Sequence, residues 1–90
     1  MEPQVAFGRV LRELRLEREL SQERLALESG IQRNFVSLLE RGKNAASVKT
    51  IFKLARVLEI PPSSLIHRVE TLMQRRKQPE ASSQGKKSSK

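Results

Sequence analysis

The 90-residue sequence predicts an all-α fold of five helices, and three observations lead there. Apolar residues recur at three- and four-residue spacing in segment after segment, the period of one buried helix face. Phe7, Phe35 and Phe52 are the three aromatic residues, so the core must be aliphatic, drawn from Leu, Ile and Val. Between the periodic segments stand Ser21, Gly30, Gly42, Ser47 and Pro61-Pro62, residues that cap, stop or open helices.

The first helix is expected from Gln4 to Arg18, with Phe7, Val10, Leu11 and Leu14 inward. Ser21 caps a second helix that runs to Ser29. Its hydroxyl accepts from a first-turn N–H, and Glu23 lies favourably near the positive helix end. Leu25 and Ala26 are the buried positions of this helix. Gly30 then supplies the left-handed conformation of a tight turn. The third helix spans Arg33 to Arg41 and ends at Gly42, with Gln32 at its cap and Ile31 and Val36 placed to pack as a hydrophobic staple. Val36, Leu39 and Glu40 point inward; Arg33, Asn34, Ser37, Leu38 and Arg41 point outward. Ser47 caps a fourth helix to Leu58, with Val48, Ile51, Phe52, Ala55 and Leu58 as its apolar stripe. Pro61-Pro62 opens a fifth helix to Arg76, carrying Leu65, Ile66, Val69, Leu72 and Met73. Residues 1–76 form one domain, and residues 77–90, polar and basic apart from Ala81, are expected to be a disordered tail.

Composition narrows the function. With no cysteine and a single histidine, His67, thiolate and histidine metal sites are not expected. No paired carboxylates, nucleophile–base arrangement or phosphate loop is apparent, so no catalytic residue, cofactor or small-molecule ligand is assigned and an enzyme is not expected. The start, Met1-Glu2-Pro3-Gln4, lacks the pattern of a secretion signal. No apolar run approaches the roughly 20 residues that span a bilayer. A cytoplasmic protein is expected. The net charge is +8, with 12 basic against 9 acidic side chains in residues 1–70 and 6 against 1 in residues 71–90. Such a balance draws a protein to polyanions, nucleic acid first among them.

The informative stretch runs from Ser21 to Gly42, two helices joined by a short turn containing glycine. Its Ser21-Gln22, Leu25-Ala26, Ser29-Gly30-Ile31, Val36-Ser37 and Glu40-Arg41-Gly42 resemble the lambda-repressor-like helix-turn-helix family of Cro proteins and repressors. Ser47-Val48, Thr50-Ile51, Leu54-Ala55 and Leu58 fit that family's fourth helix, and Pro62 to Ile66 its fifth. The resemblance runs unbroken over about residues 5–70 and implies a recognition helix, the third, lying in the major groove. Arg33 and Asn34 match its base-reading positions. Arginine suits guanine O6 and N7, and asparagine suits adenine N6 and N7. Leu38 either meets a thymine methyl or packs on a neighbour, and Gln32 and Ser37 flank these as further base contacts. Gln22, Lys43 and Asn44 match sites that hold phosphate. Phe35 stands either beside phosphate or in the core. Arg15 and Glu40 match a pair that forms an internal salt bridge in relatives. Glu19 and Glu59 replace glycines common in the family, which implies altered or strained turns.

Val69, Leu72 and Met73 lie beyond what one small domain is expected to cover and are assigned to a homodimer interface. Two recognition helices about 34 Å apart would read half-sites one helical turn apart. The sequence therefore points to a dimeric regulator on double-stranded DNA, with the order Arg33-Asn34-Phe35-Val36-Ser37 nearest to controller proteins of restriction–modification systems. Two alternatives stand beside it. One is an antitoxin of the same fold that binds a toxin protein and regulates its own promoter. The other is a basic module for RNA or membrane surfaces.

Overall fold

Four helices of this chain stop on one and the same hydrogen-bond pattern. The structure, a computed structural model, describes the backbone of residues 1–81 and the side chains of residues 1–75. Its helices are α1 (Pro3–Glu17), α2 (Gln22–Ser29), α3 (Arg33–Glu40), α4 (Val48–Leu58) and α5 (Pro62–Ala81), with no strand among the described residues. After α1, the Leu20 N–H donates to the Arg15 carbonyl and that of Glu19 to Leu16. Ile31 and Gly30 do the same to Ala26 and Leu27, Lys43 and Gly42 to Leu38 and Leu39, and Ile60 and Glu59 to Ala55 and Arg56. This paired arrangement satisfies carbonyls at the helix end and requires a left-handed residue at the turn. Gly30 and Gly42 supply it at φ of 75° and 74°; Glu19 and Glu59 supply it at 57°. The two glutamates thus keep the backbone that glycine would adopt and carry its strain.

Helix starts are equally local. Pro3 and Pro62 open α1 and α5. The Ser21 hydroxyl accepts from the Arg24 N–H at 3.0 Å and the Ser47 hydroxyl from the Thr50 N–H at 3.1 Å. Gln32 precedes α3 with an extended backbone but makes no capping bond with its side chain.

The core is aliphatic apart from Phe7. Ala6, Phe7, Val10, Leu11 and Leu14 of α1 meet Leu25 and Ala26 of α2, Val36 and Leu39 of α3, Leu54, Ala55 and Leu58 of α4, and Leu65 and Val69 of α5. Ile31 is half-buried against this core. Gly8 brings the α1 backbone onto the end of α3: a Cβ there would lie 2.7 Å from the Glu40 carbonyl oxygen and closer still to that of Leu39.

Three expectations are corrected. The buried stripe of α4 is Leu54, Ala55 and Leu58, with Ile51 half-buried beside it, while Val48 and Phe52 are 71% and 59% exposed. At 100° per residue, Val48 and Phe52 fall on the flank of the arc that faces α2 and α5. On α5, Val69 is only 7% exposed and completes the monomer core, whereas Ile66, expected inside, is 44% exposed. Leu72 and Met73 are half-buried against the same core. Of the three residues assigned to a dimer interface, Val69 is thus taken up by the monomer core, while Leu72 and Met73 keep part of their surface open to solvent. Finally, α5 continues to Ala81 rather than stopping at Arg76; Gln74 to Gln78 are good helix formers, and Pro79 stands only in the last turn. The remainder of the expected tail, residues 82–90, lies outside the described residues. No helix among the described residues is long and apolar enough to cross a membrane.

Candidate nucleic-acid interface

The local sequence makes α3 a short rod with two chemistries. Val36 and Leu39 are buried at three-residue spacing and fix it to the core. That leaves the N-terminal turn to present Arg33 and Asn34, both exposed, with Gln32 exposed beside them. Ser37 and Leu38, one turn on, are half-buried. Past the helix, Arg41, Lys43 and Asn44 are exposed around the Gly42 turn. The candidate base contacts therefore lie on one helix and its cap residue, and two of the candidate phosphate contacts adjoin its end.

Phe35 behaves differently. It is half-buried and packed against the core, and its backbone N–H is already donated to the Gln32 carbonyl at 3.0 Å. The half-buried ring thus supports the helix from the core side, one of the two roles left open by the sequence.

Glu40, the last residue of α3, is buried and meets Arg15 of α1. Arg15 Nε donates to Oε2 at 2.6 Å and Nη2 to Oε1 at 2.9 Å, a two-pronged ion pair. Nη1 donates to the Leu20 carbonyl at 2.8 Å. The hydrogen bond to Glu40 holds the Arg15 guanidinium above its ordinary pKa, against the opposing effect of burial. The group is thus charged at every accessible pH, and the pair is a fixed part of the scaffold. Gln22, at the start of α2, is half-buried, and its Nε2 donates to Glu40 Oε1 at 3.0 Å. Sequence reasoning missed this bond, since the two residues are 18 positions apart and only the packing of α2 on α3 joins them.

Charge along this part of the chain is one-sided. From Ser29 to Leu58 the chain has six basic residues, Arg33, Arg41, Lys43, Lys49, Lys53 and Arg56, and one acidic residue, Glu40. That single carboxylate is buried and neutralised by Arg15. A positive field with no exposed opposing charge along this stretch attracts a polyanion. Among the described residues no group of three or more His, Cys, Asp or Glu side chains converges, and His67 is an exposed residue 3.8 Å from Glu70.

The helix-turn-helix model HTH_3 matches residues 11–65, well over half of the chain. This chain belongs to the helix-turn-helix family of DNA-binding regulators. The helix-turn-helix protein is 36% identical over 61 residues to control protein C.BamHI of Bacillus amyloliquefaciens, covering 67% of this chain and 75% of that one. It is 34% identical over 65 residues to the cryptic phage CTXphi transcriptional repressor RstR of Vibrio cholerae, covering 72% of this chain and 59% of the repressor. Among solved structures it is 48% identical to the restriction–modification controller protein C.AhdI of Aeromonas hydrophila, with a TM-score of 0.67 over 69% of this chain and 94% of that one. The five helices make the all-α, lambda-repressor-like fold that the sequence resemblance implies.

Proposed function

We propose that the helix-turn-helix protein is a cytoplasmic, homodimeric transcription regulator that reads an inverted repeat in double-stranded DNA, with α3 in the major groove. It acts by binding and not by catalysis. One observation carries this reading: Arg33 and Asn34 stand exposed on the first turn of a helix whose opposite face is locked into the core. Their donor sets suit guanine and adenine edges, with Gln32, Ser37 and Leu38 as neighbours. Lys43 and Asn44 hold the backbone beyond the helix, and Gln22 holds it at the start of α2. The likeness to C.AhdI, a restriction–modification controller, favours that class of regulator.

Pairing is better served by Val48, Phe52 and Ile66 than by the distal part of α5. These are large apolar side chains left to solvent. Ile66 also lines an open apolar groove of about 270 Å³ with Phe7, Ala46 and Ile51. A second copy covers such a surface through a two-fold axis, the symmetry that an inverted repeat mirrors.

The deciding experiment is selection of the purified chain against random-sequence duplex DNA at about physiological salt, where non-specific phosphate binding is weak. An enriched inverted repeat is the expected result. No enrichment, with binding that vanishes as salt rises, would remove the operator-reading function and bring the antitoxin alternative forward.

A further inference from the structure

Glu40 accepts three side-chain hydrogen bonds, and its ion pair accounts for two. The third comes to Oε1 from Gln22 Nε2. A carboxylate can only accept, so the Gln22 amide must turn its NH2 group inward, and its two ends are no longer interchangeable. One N–H is then engaged and the second is left over on a planar group whose orientation is set. From this geometry we infer that Glu40 is a positioning residue for DNA-backbone binding: it holds the Gln22 amide so that the spare N–H meets a phosphate oxygen. The inference rests on the reading of Gln22 as a phosphate contact.

An exposed glutamine samples many rotamers, and ordering such a side chain on binding costs affinity. Here the ordering is done in the free protein. The carboxylate that does it ends α3, which carries the base-reading residues, while Gln22 opens α2. Arg15 steadies both from behind through Glu40 and through the Leu20 carbonyl in the turn before the Ser21 cap. One buried group therefore sets the phosphate-side residue relative to the base-side helix. A carboxylate that served only to neutralise Arg15 would need no bond to Gln22.

The test uses the full chain and a mixed-sequence duplex of about 30 base pairs at low salt, where backbone contacts dominate and no operator is needed. Gln22→Ala is expected to weaken binding about five-fold, the scale of one hydrogen bond. Glu40→Gln is expected to weaken it by a similar factor. Added to Gln22→Ala it should weaken binding no further, since the residue through which Glu40 acts is gone. Unfolding midpoints are measured alongside, because a purely structural loss lowers stability without this coupling. Losses that multiply, or a Gln22→Ala protein that binds as tightly as wild type, overturn the inference.

Glu40→Gln also unpairs Arg15 and threatens the fold, so the unaltered chain provides a second measurement. In NMR spectra the Gln22 side-chain proton facing Glu40 should hold its position as duplex is added, while its geminal partner shifts. Two averaged protons that move together overturn the inference as well. A wild-type chain that binds no duplex at low salt overturns the DNA-binding reading itself. Binding without an enriched repeat in the selection removes only the operator reading and leaves this test legible.

Discussion

Glu19 and Glu59 sit in the left-handed region, where a Cβ crowds the following carbonyl at a cost of roughly 1–2 kcal/mol. Nothing in their surroundings needs a side chain at Glu19. Glu59 makes an exposed pair with Arg18 at 3.0 Å, a contact worth about 1 kcal/mol at most. Glu19→Gly is therefore expected to stabilise the fold by about 0.5–1 kcal/mol, and Glu59→Gly by less; urea unfolding midpoints measure both. At the interface the residue-scale contrast is between reading and holding. Arg33→Ala should cost about 1–3 kcal/mol on the selected operator and relax one base position. Lys43→Ala should weaken all duplexes evenly and lower the salt slope by about one unit. Titrations on operator and mixed DNA at several salt concentrations separate the two, and equal losses of both kinds would mean that α3 is not the reader.

At the scale of the element, most boundaries were legible because caps are local. Ser21, Gly30, Gly42 and Ser47 act within four or five residues of themselves, a distance over which sequence spacing is geometry. The fourth helix shows where this stops. Apolar spacing there admits two stripes, one through Val48 and Phe52 and one through Leu54 and Leu58. The choice between them is made by α2 and α5, which are distant in sequence. Leu54→Ala is expected to cost about 2–5 kcal/mol, as cavity formation in a packed core does. Phe52→Ala should leave monomer stability nearly unchanged and instead weaken self-association, read by sedimentation over a concentration series. A large loss of folding stability in Phe52→Ala, with association intact, would reverse that assignment. The same blindness hid the bond between Gln22 and Glu40, while the pairing of Arg15 with Glu40 was legible from family resemblance and from two opposite charges set near buried faces.

Across the whole molecule the parts are interdependent. An eight-residue helix such as α3 is not stable in water by itself, so Arg33 and Asn34, the proposed readers, owe their geometry to α1 as much as to α3. Gly8 is where this dependence concentrates, with the two backbones touching. Gly8→Ala would drive a methyl group into the Leu39 and Glu40 carbonyls and is expected to destabilise by about 3 kcal/mol, the upper part of the overpacking range. Thermal unfolding measures it, and a wild-type midpoint would show that the two helices separate easily.

That contact also governs how the protein meets its target. Because α1 lies flush on the last turn of α3, the two should open as one cooperative unit, and the α3 amides should share the slow hydrogen exchange of α1. On the proposed reading, a helix protected in that way would meet DNA already folded, so association should show the modest heat-capacity change of a rigid docking and not the large one of coupled folding.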